Sequence, residues 1–156
     1  PLPYPDASFS IVTSRYAFHH FTDPEGVLAE MKRVCAPGGK VVVIDAAISP
    51  DPAKAAAYNR AEKLRDPSHT RALSLVEFEL LFHWVGLPAP SKTFYKVEAD
   101  LDDNLRRSFP NPGDADKLRR MFEEALATDG LGVGAQRKNG TIHFAYPVAV
   151  LVARND

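Results

Sequence analysis

The stretch from Ser8 to Asp45 constrains the fold more than any other part of this chain. Its first residues, Phe9 to Thr13, combine aromatic and β-branched side chains, which is typical of a buried strand. From Pro24 the apolar residues recur at helical spacing, at Val27, Leu28, Met31, Val34 and Cys35. A second apolar run, Val41 to Ile44, shows no alternation, which is typical of a central strand covered by helices on both faces. The stretch therefore predicts a β-α-β unit.

The two ends of the predicted helix are marked by their own signals. Asp23 can accept hydrogen bonds from the first N–H groups of the helix, and Pro24 suits the first helical position. The run Pro37 to Gly39 is predicted to end the helix and turn the chain back. Cys35 is the single cysteine of the chain, and its spacing predicts that it lies on the apolar helix face. We expect it to be a small core residue, because it cannot form an internal disulfide.

Further helices and strands are predicted downstream. The Ala-rich stretch Ala53 to Leu64 favours a helix, and the polar stretch Arg65 to Arg71 after it indicates a loop over the surface. Strands are predicted at Thr93 to Val97 and at Thr141 to Ala153, where Pro147 should interrupt the ladder. Helices and strands alternate along the chain, which predicts an α/β fold with a doubly wound sheet.

Two more helices begin at recognisable caps. Ser74 and Glu77 form a capping box ahead of a helix whose Phe82 and Trp84 we expect in the core. Asp114 is predicted to cap the last helix. Both helices carry apolar residues at helical spacing, so each should pack one face against the sheet.

Charge and hydropathy limit the partners of the chain. It has 19 Lys and Arg residues against 20 Asp and Glu residues, a formal net charge of −1. A net charge this close to zero gives no overall electrostatic attraction to nucleic acid or to an anionic membrane. No apolar run approaches the roughly 20 residues that span a bilayer. We therefore expect a cytoplasmic protein with neither nucleic acid nor membrane among its partners.

Three motifs in the first third resemble those of class I S-adenosylmethionine-dependent methyltransferases. They are LPYPDASFSIV (Leu2 to Val12), FHHF (Phe18 to Phe21) and RVCAPGGKV (Arg33 to Val41). The resemblance is to the branch of ubiquinone and menaquinone biosynthesis; it is specific over Leu2 to Asp45 and weak after Pro88. It implies a Rossmann-like, mostly parallel sheet of seven strands. The chain would supply strands four to seven, the C-terminal portion, with the antiparallel last strand inserted beside the fifth.

The resemblance also implies that part of such a domain is absent. In the family, a glycine-rich turn after the first strand and an acidic residue after the second hold the cofactor, and neither is found here. The one glycine cluster, Gly130 to Gly134, follows a helix and leads to a strand, the reverse of the strand-to-helix context of a nucleotide cradle. We therefore expect residues 1–156 to form a single incomplete domain that lacks the N-terminal cofactor-binding strands. By itself it should be inactive and bind cofactor weakly.

The first candidate site residues follow the first strand, because ligands of α/β sheets bind at the carboxyl ends of the strands. In the resembling family this segment runs beneath the methionine part of the cofactor, which makes Ser14, Arg15 and Tyr16 candidate cofactor-binding residues. A polar turn that merely leaves the sheet is the alternative. His19 and His20 are candidate substrate-binding residues or packed side chains. Being adjacent, they should point apart and not share a metal, and we expect no metal site.

The second group of candidates lies in the loop from Arg65 to Arg71. Asp66 and Arg71 are candidate substrate-binding residues, and His69 has an intrinsic pKa suited to accepting a proton from a methyl acceptor. A solvated hinge is the alternative for this loop. Asp45, at the end of its strand, either caps a turn or faces the substrate pocket.

Two functions stay open. In the first, the chain is the acceptor-side part of an enzyme that transfers a methyl group from S-adenosylmethionine to a small-molecule acceptor. Such transfer needs mainly in-line positioning, since the sulfonium is already a good leaving group. In the second, the chain is a non-catalytic α/β binding or assembly module. If the usual neighbour of the first strand is missing, Phe9 to Ser14 presents an unpaired edge, through which we expect self-association.

Overall fold

The computed structural model describes residues 1–156 and groups them into two compact units. Unit 1 comprises Pro1–Ala47, Ala72–Tyr95 and Val148–Asp156, and unit 2 comprises Ile48–Arg71 and Lys96–Pro147. In chain order the elements are β1 (Phe9–Arg15), α1 (Pro24–Val34), β2 (Cys35–Ile48), α2 (Pro52–Arg65), β3 (Leu73–Ser74), α3 (Leu75–Trp84), β4 (Ser91–Asp100), α4 (Leu101–Arg106), α5 (Asp114–Thr128), β5 (Gln136–Lys138) and β6 (Thr141–Arg154). The strands β4 and β6 contribute residues to both units.

The sheet of unit 1 has the strand order β1-β2-β6-β4. β1 runs parallel to β2, with Arg15 opposite Ile44 at the end of the ladder. β6 is antiparallel to β2 and is inserted between β2 and β4. The predicted α/β fold is thus confirmed, and its last strand lies where the resemblance implied. The ladder between β2 and β6 ends at Val148, which leaves Pro147, a residue without an N–H group, just beyond it.

One face of this sheet carries the core of unit 1. Register places Val41, Val43 and Leu151 on that face, and each is at most 1% exposed. The helices α1 and α3 pack against each other and contribute Leu28 and Phe78 to the same cluster. Both helices were predicted, and so were the Asp23 cap of α1 and the capping box of α3.

The opposite face of the sheet is only half-buried. Val42, Ile44 and Val150 alternate with the core residues and so point to this second face, as does Ile11 of β1. Ile11 is 61% exposed, and the other three are partly buried. The expectation of helices on both faces of β2 is therefore wrong. An unbroken apolar run looks the same whether its second face is covered or half-open, so the sequence could not distinguish the two.

β1 forms an edge of the sheet, which confirms the predicted unpaired edge, but its residues were wrongly expected to be buried. It pairs with β2 alone, so the other side of its backbone has no neighbouring strand. Phe9 is 37% exposed, in edge contact with the ring of Tyr4. Aromatic and β-branched residues favour strands at an edge as much as strands in a centre.

The two glycines after α1 form part of strand β2 and do not end the helix. α1 ends at Val34, and Gly38 and Gly39 already belong to β2, so the predicted helix stop is wrong by a few residues. Gly38 has a φ of +77°, which favours glycine. A Cβ at Gly39 would lie 2.8 Å from the backbone oxygen of Ser10. The pair therefore lets β2 begin directly after the helix.

Two side chains predicted at helix ends lie elsewhere. Trp84 is the last residue of α3 and is 59% exposed, whereas Phe82 is fully buried as expected. Gly113, not Asp114, caps α5; Asp114 is the first helical residue and its side chain pairs with Lys117. Apolar spacing alone cannot tell which turn of a helix extends past the core.

In unit 2, α2 packs against α5, which contributes Phe122 to a ring contact with Phe144 of β6. β5 and β6 form a hairpin at the predicted turn, where Asn139 and Gly140 have φ values of 51° and 86°. Positive φ at both positions is the requirement of a type I′ turn. The six residues of α4 were not predicted, because a helix this short carries little periodicity. No helix of the structure is both long and apolar enough to cross a membrane.

Candidate functional site

Asp45 fixes the loop that follows β1. It lies in β2 and is 1% exposed. Its carboxylate accepts three hydrogen bonds, from Phe18 N at 2.8 Å, His19 Nδ1 at 2.6 Å and Ala46 N at 2.7 Å. A buried carboxylate is tolerated only when its oxygens are bonded in this way. Asp45 therefore ties the short 3₁₀ turn Phe18–His20 to the central strand, and of the two alternatives left open it caps the turn.

The two histidines of that turn lie side by side. The ring centroids of His19 and His20 are 4.3 Å apart, with the planes tilted by 49°. The expectation that they point apart is wrong, because it assumed regular backbone, whereas these residues form a tight turn in which Asp45 fixes His19. Nowhere in the structure are three His, Cys, Asp or Glu side chains arranged to hold a metal ion.

His20 and Ser14 line an open groove in unit 1. The groove has a volume of about 920 Å³ and runs between β1 and α1, with Val12 and Met31 in its apolar wall. Its polar lining includes Asp23 at the start of α1. A concave, mostly apolar site with a few converging polar groups is what a small-molecule ligand requires.

Arg15 and Tyr16 form a second cluster at the carboxyl end of β1. Tyr16 has a φ of +52°, and its N–H group donates to the carbonyl of Ile44 at 2.8 Å. Its hydroxyl lies 2.7 Å from the hydroxyl of Tyr95 on β4, and the Arg15 guanidinium lies 4.7 Å from the centre of its ring. Burial and the hydrogen bond between the two hydroxyls raise the pKa of Tyr16, although Arg15 acts in the opposite direction. The cluster thus joins one guanidinium to two phenol hydroxyls.

His69 is buried in unit 2, although its loop was predicted to lie on the surface. It is 1% exposed, and its Nε2 atom lies 2.8 Å from Oδ1 of Asn59. Lys63 donates to the carbonyl of His69 at 2.7 Å. Both partners belong to α2, so the helix holds the middle of the loop inward. The prediction of a surface loop is therefore wrong at this residue.

The remaining candidates of this loop are more accessible. Asp66 is half-buried and accepts hydrogen bonds from the backbone and hydroxyl of Ser68, at 2.8 Å and 2.6 Å. Arg71 is exposed. The predicted residues thus divide between the units: Ser14, Arg15, Tyr16, His19 and His20 lie in unit 1, and Asp66, His69 and Arg71 in unit 2.

A buried polar network in unit 2 was missed by the sequence analysis. Glu62 accepts from Arg65 at 2.8 Å and from the hydroxyl of Tyr146 at 3.2 Å. Burial raises the pKa of Tyr146 far above its ordinary value, with the charge of Glu62 acting in the same direction. The spacing of three residues between Glu62 and Arg65 is a detectable signal. Tyr146 is 84 residues away from Glu62 and gives none.

Comparison with known proteins places this fold among methyltransferases. Residues 1–43 match the family model of the methyltransferase domain. The chain is 42% identical over 132 residues to the uncharacterized methyltransferase YcgJ of Bacillus subtilis, of which it covers 52%. It is 31% identical over 124 residues to the ubiquinone/menaquinone biosynthesis C-methyltransferase UbiE of Burkholderia cenocepacia, of which it covers 42%. The chain thus spans about half the length of these curated relatives.

Solved structures agree over nearly the whole chain. The crystal structure of YcgJ from Bacillus subtilis superposes with a TM-score of 0.86 at 28% identity, covering 99% of this chain and 67% of that one. A candidate methyltransferase from Bacillus halodurans superposes with a TM-score of 0.90 at 24% identity, covering 99% of this chain and 73% of that one. Because the Bacillus halodurans protein is only 24% identical, this match shows similarity of fold only.

Proposed function

We propose that this chain, which is similar to S-adenosylmethionine-dependent methyltransferases, forms the acceptor-side part of such an enzyme. In this proposal the complete enzyme transfers a methyl group from S-adenosylmethionine to a small-molecule acceptor. S-adenosylmethionine supplies an activated methyl group, so the protein has mainly to bind, orient and desolvate the reactants.

The observation that supports this proposal most directly is the open edge of β1. β1 pairs with β2 alone, and the neighbouring sheet face carries half-buried apolar residues. Residues 1–43, which include this strand, are the ones that match the family model. Further strands added at that edge could supply the glycine-rich cradle that the sequence lacks.

Cofactor contacts are proposed for the end of β1. Ser14 lines the groove beside α1, and the Arg15 guanidinium is exposed without an acidic partner. These groups and Tyr16 fit the polar amino-acid end of the cofactor. No glycine-rich turn leads from a strand into a helix, so the residues present offer no corresponding site for the adenosine part of the cofactor.

Acceptor contacts are proposed for His20, which lines the groove, for His19 beside it, and for Asp66 and Arg71. His69 stays a candidate proton acceptor. Its burial and its contact with Asn59 also suit a structural role in which it anchors the loop, and they do not fit the solvated hinge that was the alternative for this loop.

A chimeric protein tests the proposal. The part of Bacillus subtilis YcgJ that precedes its match to this chain is joined to residues 1–156, and binding of S-adenosylhomocysteine is measured by calorimetry. We expect binding in the micromolar range, weakened about tenfold by Tyr16→Ala, since one or two polar contacts are lost. Val76→Ala, at an exposed position of α3, is the matched control and should bind like the parent. A chimera that melts cooperatively but does not bind contradicts the proposal.

A further inference from the structure

We propose that Arg15, Tyr16 and Tyr95 form a binding site for the carboxylate of a small molecule. All three residues lie in unit 1. The inference rests on the proposed function, because it assigns a chemical feature to a ligand of the same methyltransferase site. It adds Tyr95, a residue of β4, which no sequence signal singled out.

The charge of Arg15 is available for a ligand. Its side chain is exposed, and none of the ion pairs of the structure includes it. Its guanidinium lies 4.7 Å from the centre of the Tyr16 ring. Contact with Tyr16 restricts a long side chain, and the hydrogen bond to Tyr16 uses only part of the five N–H donors on the planar edge of the guanidinium. That edge matches the two oxygens of a carboxylate.

The two phenols supply a further hydrogen-bond donor. The hydroxyl oxygens of Tyr16 and Tyr95 are 2.7 Å apart, which is one hydrogen bond. Two hydroxyl groups carry two protons, and their mutual bond uses one of them, so the second proton can be donated to a ligand. Burial and the Tyr95 bond raise the pKa of Tyr16, which keeps its hydroxyl protonated at neutral pH. The pair is therefore a donor toward an anion.

The backbone holds the cluster in an uncommon conformation. Tyr16 has a φ of +52°, a region that a bulky residue seldom adopts. The bond from its N–H group to Ile44 keeps it there, directly after the last ladder pair of β1 and β2. Strain of this kind is retained where the surrounding structure demands it, and it is common at ligand sites. In this cluster the strained residue, Tyr16, is also the one whose ring contacts the Arg15 guanidinium.

A titration followed by NMR tests the site on the 156-residue chain. The probes are benzoate and L-methionine, with benzamide and L-methioninol as counterparts of similar shape that lack the carboxylate. We expect the carboxylates, but not the counterparts without one, to shift the Nε–Hε resonance of Arg15. Tyr95→Phe should weaken carboxylate binding about five- to tenfold, as expected for one hydrogen bond to a charged group. Arg15→Gln should abolish it.

Lys40→Gln is the matched control. Lys40 is exposed and lies opposite Ile11 in the ladder, so its loss removes one positive charge from the same sheet face without touching the cluster. We expect it to leave carboxylate binding unchanged. Equal weakening by Lys40→Gln and Arg15→Gln would mean unspecific charge attraction and would overturn the site. Shifts caused by benzamide or L-methioninol, which lack the carboxylate, would also overturn it.

The two carboxylate probes distinguish the source of the natural ligand. Binding of methionine alone assigns the site to the amino-acid end of the cofactor, and binding of benzoate alone assigns it to an acidic methyl acceptor. Binding of both supports a carboxylate site of broad selectivity, and binding of neither overturns it. Failure of the chimera to bind S-adenosylhomocysteine would refute the proposed function while leaving this titration intact, so the two failures are distinguishable.

Discussion

Asp45 shows how one buried carboxylate can set the position of a loop. It is a residue of the central strand, yet its three hydrogen bonds go to backbone and side-chain donors that include Phe18 and His19. The sequence identified the position but left its role open, because a donor 27 residues away gives no local signal. The same holds for Tyr16 and Tyr95, which are 79 residues apart. Contacts of this range depend on the tertiary fold.

Asp45→Asn should destabilise unit 1 by about 2 kcal/mol, the cost of leaving a buried donor unsatisfied. An amide has only one accepting oxygen, whereas Phe18 N and His19 Nδ1 are bonded to different carboxylate oxygens of Asp45. Urea unfolding measures the change. The control is Asp51→Asn at the N-cap of α2, where Asn caps as well as Asp and the loss should stay under about 0.5 kcal/mol. Equal stability of the two variants would contradict the role of Asp45.

Glu30 should titrate far below an ordinary glutamate. The hydrogen bond from Arg33, followed by that from the backbone N–H of Leu2, lowers the pKa of Glu30 to about 2. Because the folded pKa is depressed, the contribution of these contacts to stability is complete above about pH 4.5 and is lost as the pH falls toward 2. An NMR titration of Glu30 tests this, and Arg33→Ala should return its pKa toward the ordinary value. An ordinary pKa in the parent chain would contradict the contact.

At the scale of elements, the sequence predicted helix caps and turns correctly. It did not predict features that depend on how the elements pack together. Asp23 caps α1, and the turn at Asn139-Gly140 closes the β5–β6 hairpin, since caps and turns depend on neighbouring residues only. The exposure of Trp84 and of the second sheet face was missed, because it depends on what packs against an element. The candidate site divides in the same way: the sequence proposes the segment after β1, but it gives no signal for Tyr95, which contacts Tyr16 in the fold.

Ser74→Ala should destabilise the chain by about 1 kcal/mol through α3, the usual cost of a lost helix cap. Its hydroxyl lies 2.8 Å from Glu77 Oε2 and accepts from Glu77 N at 3.4 Å. Thermal unfolding measures the loss. Ser10→Ala, at an exposed position of β1, is the control and should stay within about 0.5 kcal/mol of the parent. No difference between the two variants would contradict the capping box.

The whole molecule presents an open strand edge beside a half-buried apolar face. Unpaired edges of this kind recruit other chains, and natural proteins protect them with charges. β1 carries Ile11, which is 61% exposed, and no charged residue before Arg15. Self-association through this edge is therefore our expectation for the isolated chain.

Ile11→Lys should abolish that self-association. A lysine in the middle of an edge strand opposes the pairing of a second copy. Analytical ultracentrifugation over a range of concentrations measures the effect. Val76→Lys is the matched control, because Val76 is 56% exposed on α3, away from the edge. If both variants associate like the parent, or if the parent is monomeric throughout, the prediction fails.

We propose that this chain shapes the acceptor side of a methyltransferase but lacks the cradle that holds the methyl donor. Isothermal calorimetry of the 156-residue chain with S-adenosylhomocysteine tests this proposal. We expect no saturable binding in the micromolar range, because no glycine-rich strand-to-helix turn is present to hold the adenosine and amino-acid ends together. A micromolar dissociation constant with one site per chain would contradict it.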